Sequence, residues 1–264
     1  MMKLKFRVSL ILFCLAVVTG FACYPTVAKA QAIEDGLVGH WTFDEKDTDA
    51  KAAKDALGEH DGEIMGKPEI VEGKVGEALR FNGKEDYVVM GVVTEGQDLT
   101  YAMWIKVEKL PGATQVIIWD DDSKGGGDSW LELLADGTIQ TQRGGDGFGV
   151  FKSKTPIVPS EWTHITFVTD EKNDNKTLYI NGAADAESAG AITTRTNVSH
   201  VVVAVGHDSN AFIKPLYFEG DIDDVAIYLR ALSAKEVKDN MAQAAAVDAA
   251  GKLAITWGAI KERL

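Results

Sequence analysis

From Leu37 to Leu229 the apolar residues of this chain come in short runs, and most runs are closed by Gly, Asn, Asp or Pro. That punctuation confines the region to a fold made of many short strands. Trp162 to Thr169 sets Ile165 and Phe167 against His164 and Thr166, so one face of that strand is apolar. Asn181-Gly182 follows Lys176–Ile180. Both residues tolerate positive φ, so they predict a two-residue hairpin. Asp136-Gly137, between Ser129–Leu134 and Thr138–Arg143, suggests a further hairpin. Leu37–Phe43, Ala78–Phe81, Tyr87–Met90, Leu99–Val107, Gln115–Trp119, Val201–Val205, Leu216–Phe218 and Ile222–Leu229 supply further strands. Asn82 to Asp86 join the second and third of these. A helix starts at Ser233-Ala234-Lys235-Glu236, where Ser and Glu three residues apart can each satisfy the other's backbone amide. It is expected to run to about Ala246. The expected fold class is all-β: a two-sheet antiparallel β-sandwich, of jelly-roll type, with one short C-terminal helix.

The two ends read differently. A basic start (Lys3, Lys5, Arg7), an apolar stretch from Val8 to about Ala22 and Ala28-Lys29-Ala30 have the three parts of a secretory signal peptide. The expected division is a signal peptide over 1–30, the sandwich domain over 31–246 and an apolar tail over 247–264. Leu253, Ile255, Trp257 and Ile260 make that tail a docking segment for this domain or for a partner. Export places the chain in the periplasm, on the cell surface or outside the cell. Cleavage would remove both cysteines, Cys14 and Cys23, so the mature chain needs no disulfide. It would also remove Lys3, Lys5, Arg7 and Lys29 and no acid, leaving the product more negative than the −13 of the full chain. Such acidity argues against nucleic acid and against anionic membrane surfaces. It suits solubility, Ca²⁺ or neutral ligands. No membrane span is expected after cleavage, and a monomer is expected.

Five segments in order resemble the laminin G-like branch of the concanavalin A-like lectin/glucanase superfamily, as found in exported bacterial proteins. They are Gly39-His40-Trp41-Thr42-Phe43-Asp44; Gly76-Glu77-Ala78-Leu79-Arg80-Phe81-Asn82-Gly83 with Tyr87-Val88; Ala102-Met103-Trp104-Ile105-Lys106; Glu161-Trp162-Thr163-His164 with Leu178-Tyr179-Ile180-Asn181-Gly182; and Phe218 to Tyr228 followed by Arg230-Ala231-Leu232-Ser233. The resemblance covers roughly Leu37 to Ala242 and implies the sandwich fold. It leaves function open, because this fold hosts binding modules, adhesins and enzymes. It also implies a structural Ca²⁺ tying the first strand to the last. Asp223 and Asp44 would be ligands, Asn82 or the Gly83 carbonyl would help complete the oxygen cage, and Asp224 would lie on the opposite face. Trp41, Trp104 and Trp162 are expected in the core, and His164 as a hydrogen-bonded structural histidine.

A second cluster runs from Trp119 to Trp130 through Asp120, Asp121, Asp122 and a glycine run. Aromatic faces stack on sugar rings and carboxylates accept sugar hydroxyls. Trp119, Asp120, Asp122, Trp130 and Arg143 are therefore the candidate carbohydrate-binding residues; the alternative is a hairpin tip with core tryptophans at its base. Catalytic signatures are thin. Glu45-Lys46-Asp47-Thr48-Asp49-Ala50 begins a glucanase-like carboxylate pattern and ends in Ala. There is no HExxH, nucleophile elbow, P-loop or dinucleotide fingerprint. The expected function is non-catalytic carbohydrate binding. The alternatives are a glycosidase or polysaccharide lyase with a dispersed site, and an envelope adhesion or structural protein with a protein partner.

Overall fold

A computed structural model describes residues 34–91, 98–121, 129–143, 150–190, 192, 202–206 and 216–242. The expected signal peptide, the apolar tail and Asp122 lie outside these residues. In chain order the strands are β1 (Leu37–Trp41), β2 (Ala52–Ala53), β3 (Gly62–Met65), β4 (Glu69–Glu72), β5 (Glu77–Asn82), β6 (Tyr87–Met90), β7 (Leu99–Lys106) and β8 (Gln115–Asp121). There follow β9 (Ser129–Leu133), β10 (Ile139–Arg143), β11 (Phe151–Lys152), β12 (Thr163–Asp170), β13 (Asn175–Ile180), β14 (Ala183–Ala189), β15 (Val202–Val205) and β16 (Glu219–Tyr228). Residues 234–242 form helix α1, and Glu45–Asp47 and Glu171–Asn173 are single 3₁₀ turns.

Two eight-stranded antiparallel sheets result. The back sheet runs β14-β13-β12-β7-β16-β5-β4, with β1 also paired to β16. The front sheet runs β11-β10-β9-β8-β15-β6-β3-β2. Alternation puts Tyr101, Met103, Ile105, Ile165, Phe167, Ile222 and Ile227 on the inner face of the back sheet. They meet Val88, Met90, Ile118, Leu131, Leu133 and Ile139 from the front sheet. Each such side chain contributes about 1.5–3 kcal/mol by leaving water. Both hairpins form. Asn181 and Gly182 take φ of 51° and 73°, and Ile180 pairs with Ala183 across them. The second joins β9 to β10, with Leu133 paired to Ile139.

Other expectations change. The 77–82 and 87–90 strands lie in different sheets. Asp86, buried between them, accepts the amides of Asn82 (3.1 Å) and Lys67 (2.7 Å) and so fixes the crossover. Of the two final expected strands, Leu216–Phe218 is not a strand and Ile222–Leu229 falls in β16, which starts at Glu219; β3 and β4 were not legible because both carry glutamates at exposed positions. Trp41 is in the core and donates to the His60 carbonyl at 2.9 Å. Trp104 is buried but on the outer face of the back sheet, and Trp162 is only half-buried there.

Helix α1 lies on the same outer face. Val237 and Leu232 pack against Val168, Tyr179, Ala226 and Tyr228. Its cap is reciprocal: Glu236 accepts the Ser233 amide (2.8 Å) and Ser233 Oγ accepts the Glu236 amide (3.3 Å). Arg230 holds the Glu236 carboxyl well below its usual range.

Candidate functional site

Strand alternation decides where the sugar candidates point. Along β8, Ile118 faces the core, so Trp119 faces out and Asp120 faces in. Along β9, Leu131 faces the core, so Trp130 faces out and Ser129 faces in. Trp119 and Trp130 are direct cross-strand partners, and their rings stack at 6.0 Å with planes 8° apart. Val116 and Leu216 pack against them. Gln142 lies beside Trp130 in register, and Glu132 and Gln140 follow on the same face. Each indole is 8% exposed, and Trp119 Nε1 has no hydrogen-bond partner among the described residues.

Asp120 and Arg143 are in the sandwich interior. The Arg143 guanidinium is 3.8 Å from the Asp120 carboxylate and donates to Ser129 Oγ at 2.9 Å. Tyr101, from the facing sheet, donates its hydroxyl to Asp120 at 2.8 Å. The single rim expected from sequence is therefore two sites back to back. Trp119 and Trp130 are outside, whereas Asp120 and Arg143 bridge the sheets inside.

The second constellation is on the outer face of the back sheet. Asp223 accepts the amides of Lys74 (2.8 Å) and Val75 (2.9 Å), and Asp44 accepts the amide of Glu77 (2.9 Å). Two aspartates from opposite ends of the chain thus hold the 73–77 turn. The turn needs glycine to admit them: a Cβ on Gly76 would stand 2.2 Å from Asp44 Oδ1, and one on Gly73 would stand 2.7 Å from Asp223 Oδ2. A bulge between Asp223 and Ala226, with Asp224 at φ 53°, turns Asp224 to the outer side also. There Asp224 meets His40 Nε2 at 2.6 Å. This corrects the expectation that the two aspartates occupy opposite faces. Burial opposes charge on His40, but Asp224, Asp55 and Asp44 outweigh it and raise its pKa. Burial, reinforced by Asp224 and Asp44, pushes the Asp223 carboxyl up to about 8.

Asp223 Oδ1 is buried without a partner among the described residues, which is the oxygen a cation would need. Asn82 and Gly83 do not join it. They lie opposite Glu219, four residues back along β16 and so ~13 Å away. The Asn82 side chain accepts the amides of Lys84 and Glu85 instead. Among the described residues, no three His, Cys, Asp or Glu converge on one point. Asp44 spends Oδ1 on the Glu77 amide and Oδ2 on the Lys46 ammonium at 3.1 Å, so Asp223 Oδ1 is the carboxylate oxygen this corner leaves for a cation.

Residues 82–238 match the family described as the concanavalin A-like lectin/glucanases superfamily. The chain belongs to that superfamily. Comparison with curated proteins found no match. Among solved structures it is similar to domain 4 of an extracellular GH43 arabinanase, AbnA, from Geobacillus stearothermophilus, in complex with arabinotriose. That match has 24% identity and a TM-score of 0.61, covering 78% of this chain and 98% of that one. The binding domain of Paraclostridial Mosquitocidal Protein 1 matches at 20% identity and TM-score 0.58, over 78% of this chain and 52% of that one. A mutant Trypanosoma rangeli sialidase displaying trans-sialidase activity matches at 18% and 0.56, over 77% of this chain and 32% of that one. The chain thus spans about a third of the sialidase and about half of the toxin domain. These identities establish a shared fold.

Within the superfamily frame, several residues on the back sheet carried little signal of their own. His164 is wholly buried, edge-on to Trp104 at 4.9 Å, and burial pushes it down to about 4. Its outward direction was legible from the flanking Ile165 and Phe167. Its cover was not, because α1 reaches it from 70 residues on through Asn240. No helix among the described residues is long and apolar enough to cross a membrane.

Proposed function

We propose that this chain is an exported, non-catalytic carbohydrate-binding module whose sugar docks on the outer face of the front sheet. The observation that carries this is the stacked Trp119–Trp130 pair, which faces away from the core beside Glu132, Gln140 and Gln142. Large aromatics directed outward do not serve the sandwich core. Their edges, with amides and a carboxylate alongside, match the alternating apolar and hydroxyl surface of a sugar. The similar arabinanase domain solved with arabinotriose is in keeping with this reading.

We further propose a structural Ca²⁺ at the Asp44–Asp223 corner. The orphaned Asp223 oxygen supports it, because a cation would compensate a buried carboxylate that otherwise resists ionising. Bound there, calcium would neutralise both aspartates and tie the start of the chain to β16.

The test is binding of the protein to a polysaccharide panel with Ca²⁺ and with chelator, with the supernatant assayed for released sugars. Binding without release, lost in Trp130→Ala, is expected. Release of oligosaccharides would replace the reading with a glycosidase or lyase. Absence of binding across the panel would turn attention to a protein partner. Thermal unfolding unchanged by chelator would remove the calcium.

A further inference from the structure

On the outer face of the back sheet an open cavity of about 410 Å³ lies between the 73–77 turn and the start of β12. That volume is in the range of small-ligand sites. Its charged lining is Lys74, Arg80 and Lys106 against one acid, Glu72. The acids that offset Arg80 and Lys106 lie beneath and beside this lining, which leaves Lys74 as the cation for which no ion pair is found among the described residues. Ser160 and the half-buried Trp162 complete the wall.

The cations are held in place. Asp221, buried beneath them, takes Arg80 in a two-point pair (2.7 and 3.1 Å) and Lys106 at 3.0 Å. Asp221 orients two cations, and Glu108, 4.0 Å from the Lys106 ammonium, offsets the charge that Asp221 leaves over. The Lys106 ammonium also lies 5.1 Å above the Trp162 ring, and that of Lys74 lies 4.9 Å above Trp104. Asp223 fixes the Lys74 backbone amide, so the base of that side chain is set by β16. A neighbouring cavity of about 370 Å³ shares Arg80 and Lys106 and adds Lys67 and Lys109 against Glu69, Asp86, Glu108, Glu219 and Asp221, a lining of mixed sign with the acids in excess.

We propose that this groove is a second binding site, separate from the tryptophan face, and that it takes the carboxylate-bearing sugar unit of an acidic polysaccharide. The carboxylate sits among Lys74, Arg80 and Lys106, and the sugar ring lies toward Trp162. The mixed-charge cavity beyond it receives the hydroxyls of the next unit. A bare inorganic anion would use the cations and leave the aromatic wall idle. A neutral sugar would leave the Lys74 ammonium unmatched. The site does not depend on the front-sheet reading and fails separately from it.

The test titrates the full chain with a galacturonate trimer, following the Trp162 indole N–H by NMR and affinity by calorimetry. Arabinotriose is the neutral control, and a sulfated oligosaccharide of equal length is the anionic one. A saturable Trp162 shift is expected with the uronate. Affinity should fall at least tenfold in Lys74→Glu and at high salt, and should be unchanged in Trp130→Ala. No Trp162 shift, equal binding of the neutral trimer, or full affinity in a folded Lys74→Glu variant would overturn the proposal. Equally tight sulfated ligand would overturn the carboxylate assignment. The Trp162 signal of the unaltered chain decides the matter even if the variant does not fold. Loss of neutral-sugar binding in Trp130→Ala alone would speak only to the front sheet.

Discussion

The outer faces of the two sheets share one core and do opposite things with polar chemistry. On the back sheet, Asp223, Asp44 and Asn181 spend side-chain oxygens on backbone amides of other segments: Lys74 and Val75, Glu77, and His164. Helix α1 covers part of that face with Val237 and Leu232. On the front sheet, Trp119 and Trp130 meet each other, Val116 and Leu216, with a polar row beside them. A carboxylate that binds amides is a fastening, and its loss is felt as stability. An aromatic pair directed away from the core offers its edges to a ligand, and at 8% exposure its loss is felt as stability as well as affinity. Residue type alone would have assigned both to binding.

Four experiments would break or sharpen that contrast. The largest effect is expected for Arg143→Ala, which leaves the buried Asp120 carboxylate without its cation. Unfolding free energy should drop by about 3–5 kcal/mol. A surface role for Arg143 would instead lower affinity and spare stability, so denaturant melts of this variant test the inside–outside division directly.

The next is acid. His164 has its pKa depressed to about 4 in the folded state, against the 6.5 of an exposed histidine. The unfolded chain therefore binds the extra proton first, so stability should fall as pH drops from about 6.5 to about 4, by the order of 3 kcal/mol. His164→Gln should flatten that part of the pH profile; an unchanged slope would assign the acid sensitivity to other groups.

Trp130→Ala empties half of a buried stack, so it should cost about 3 kcal/mol of stability, while the folded variant's affinity for the front-sheet sugar falls about tenfold, or ~1.4 kcal/mol. A variant that loses stability and keeps affinity would make the tryptophan pair a mere surface staple. Asp223→Ala should cost about 2 kcal/mol, from two amides left without an acceptor. Binding to the polysaccharide panel should be retained if the two faces are independent.

Much of the fold was legible because turn chemistry is local. Asn181-Gly182, Asp136-Gly137 and the Ser233–Glu236 box each specify their own geometry and formed as read. The alternation around Ile165 and Phe167 also gave the outward direction of His164. The sites were less legible because they depend on which sheet a strand joins. Asn82 and Asp223 share a resemblance to one motif set, yet register places Asn82 against Glu219. Trp119 and Asp120 are neighbours in sequence, and one step of a strand puts a sheet between their side chains. Lys74, Arg80 and Lys106 come from three separate segments, so no spacing announces their shared cavity.

The bulge at Asp224 acts as a frameshift in the inside–outside reading of β16. Before it, Asp221 and Asp223 face out and Ile222 faces in; after it, Val225 and Ile227 face in and Ala226 faces out. Were the strand regular through all of these residues, Asp224 would point into the core and Val225 and Ile227 into water. Deleting Asp224 would leave Asp223, Val225, Ala226 and Ile227 on the faces they now occupy, whereas a deletion elsewhere in β16 would turn half the strand over, so the tolerance of β16 to change is set more by its length than by its letters.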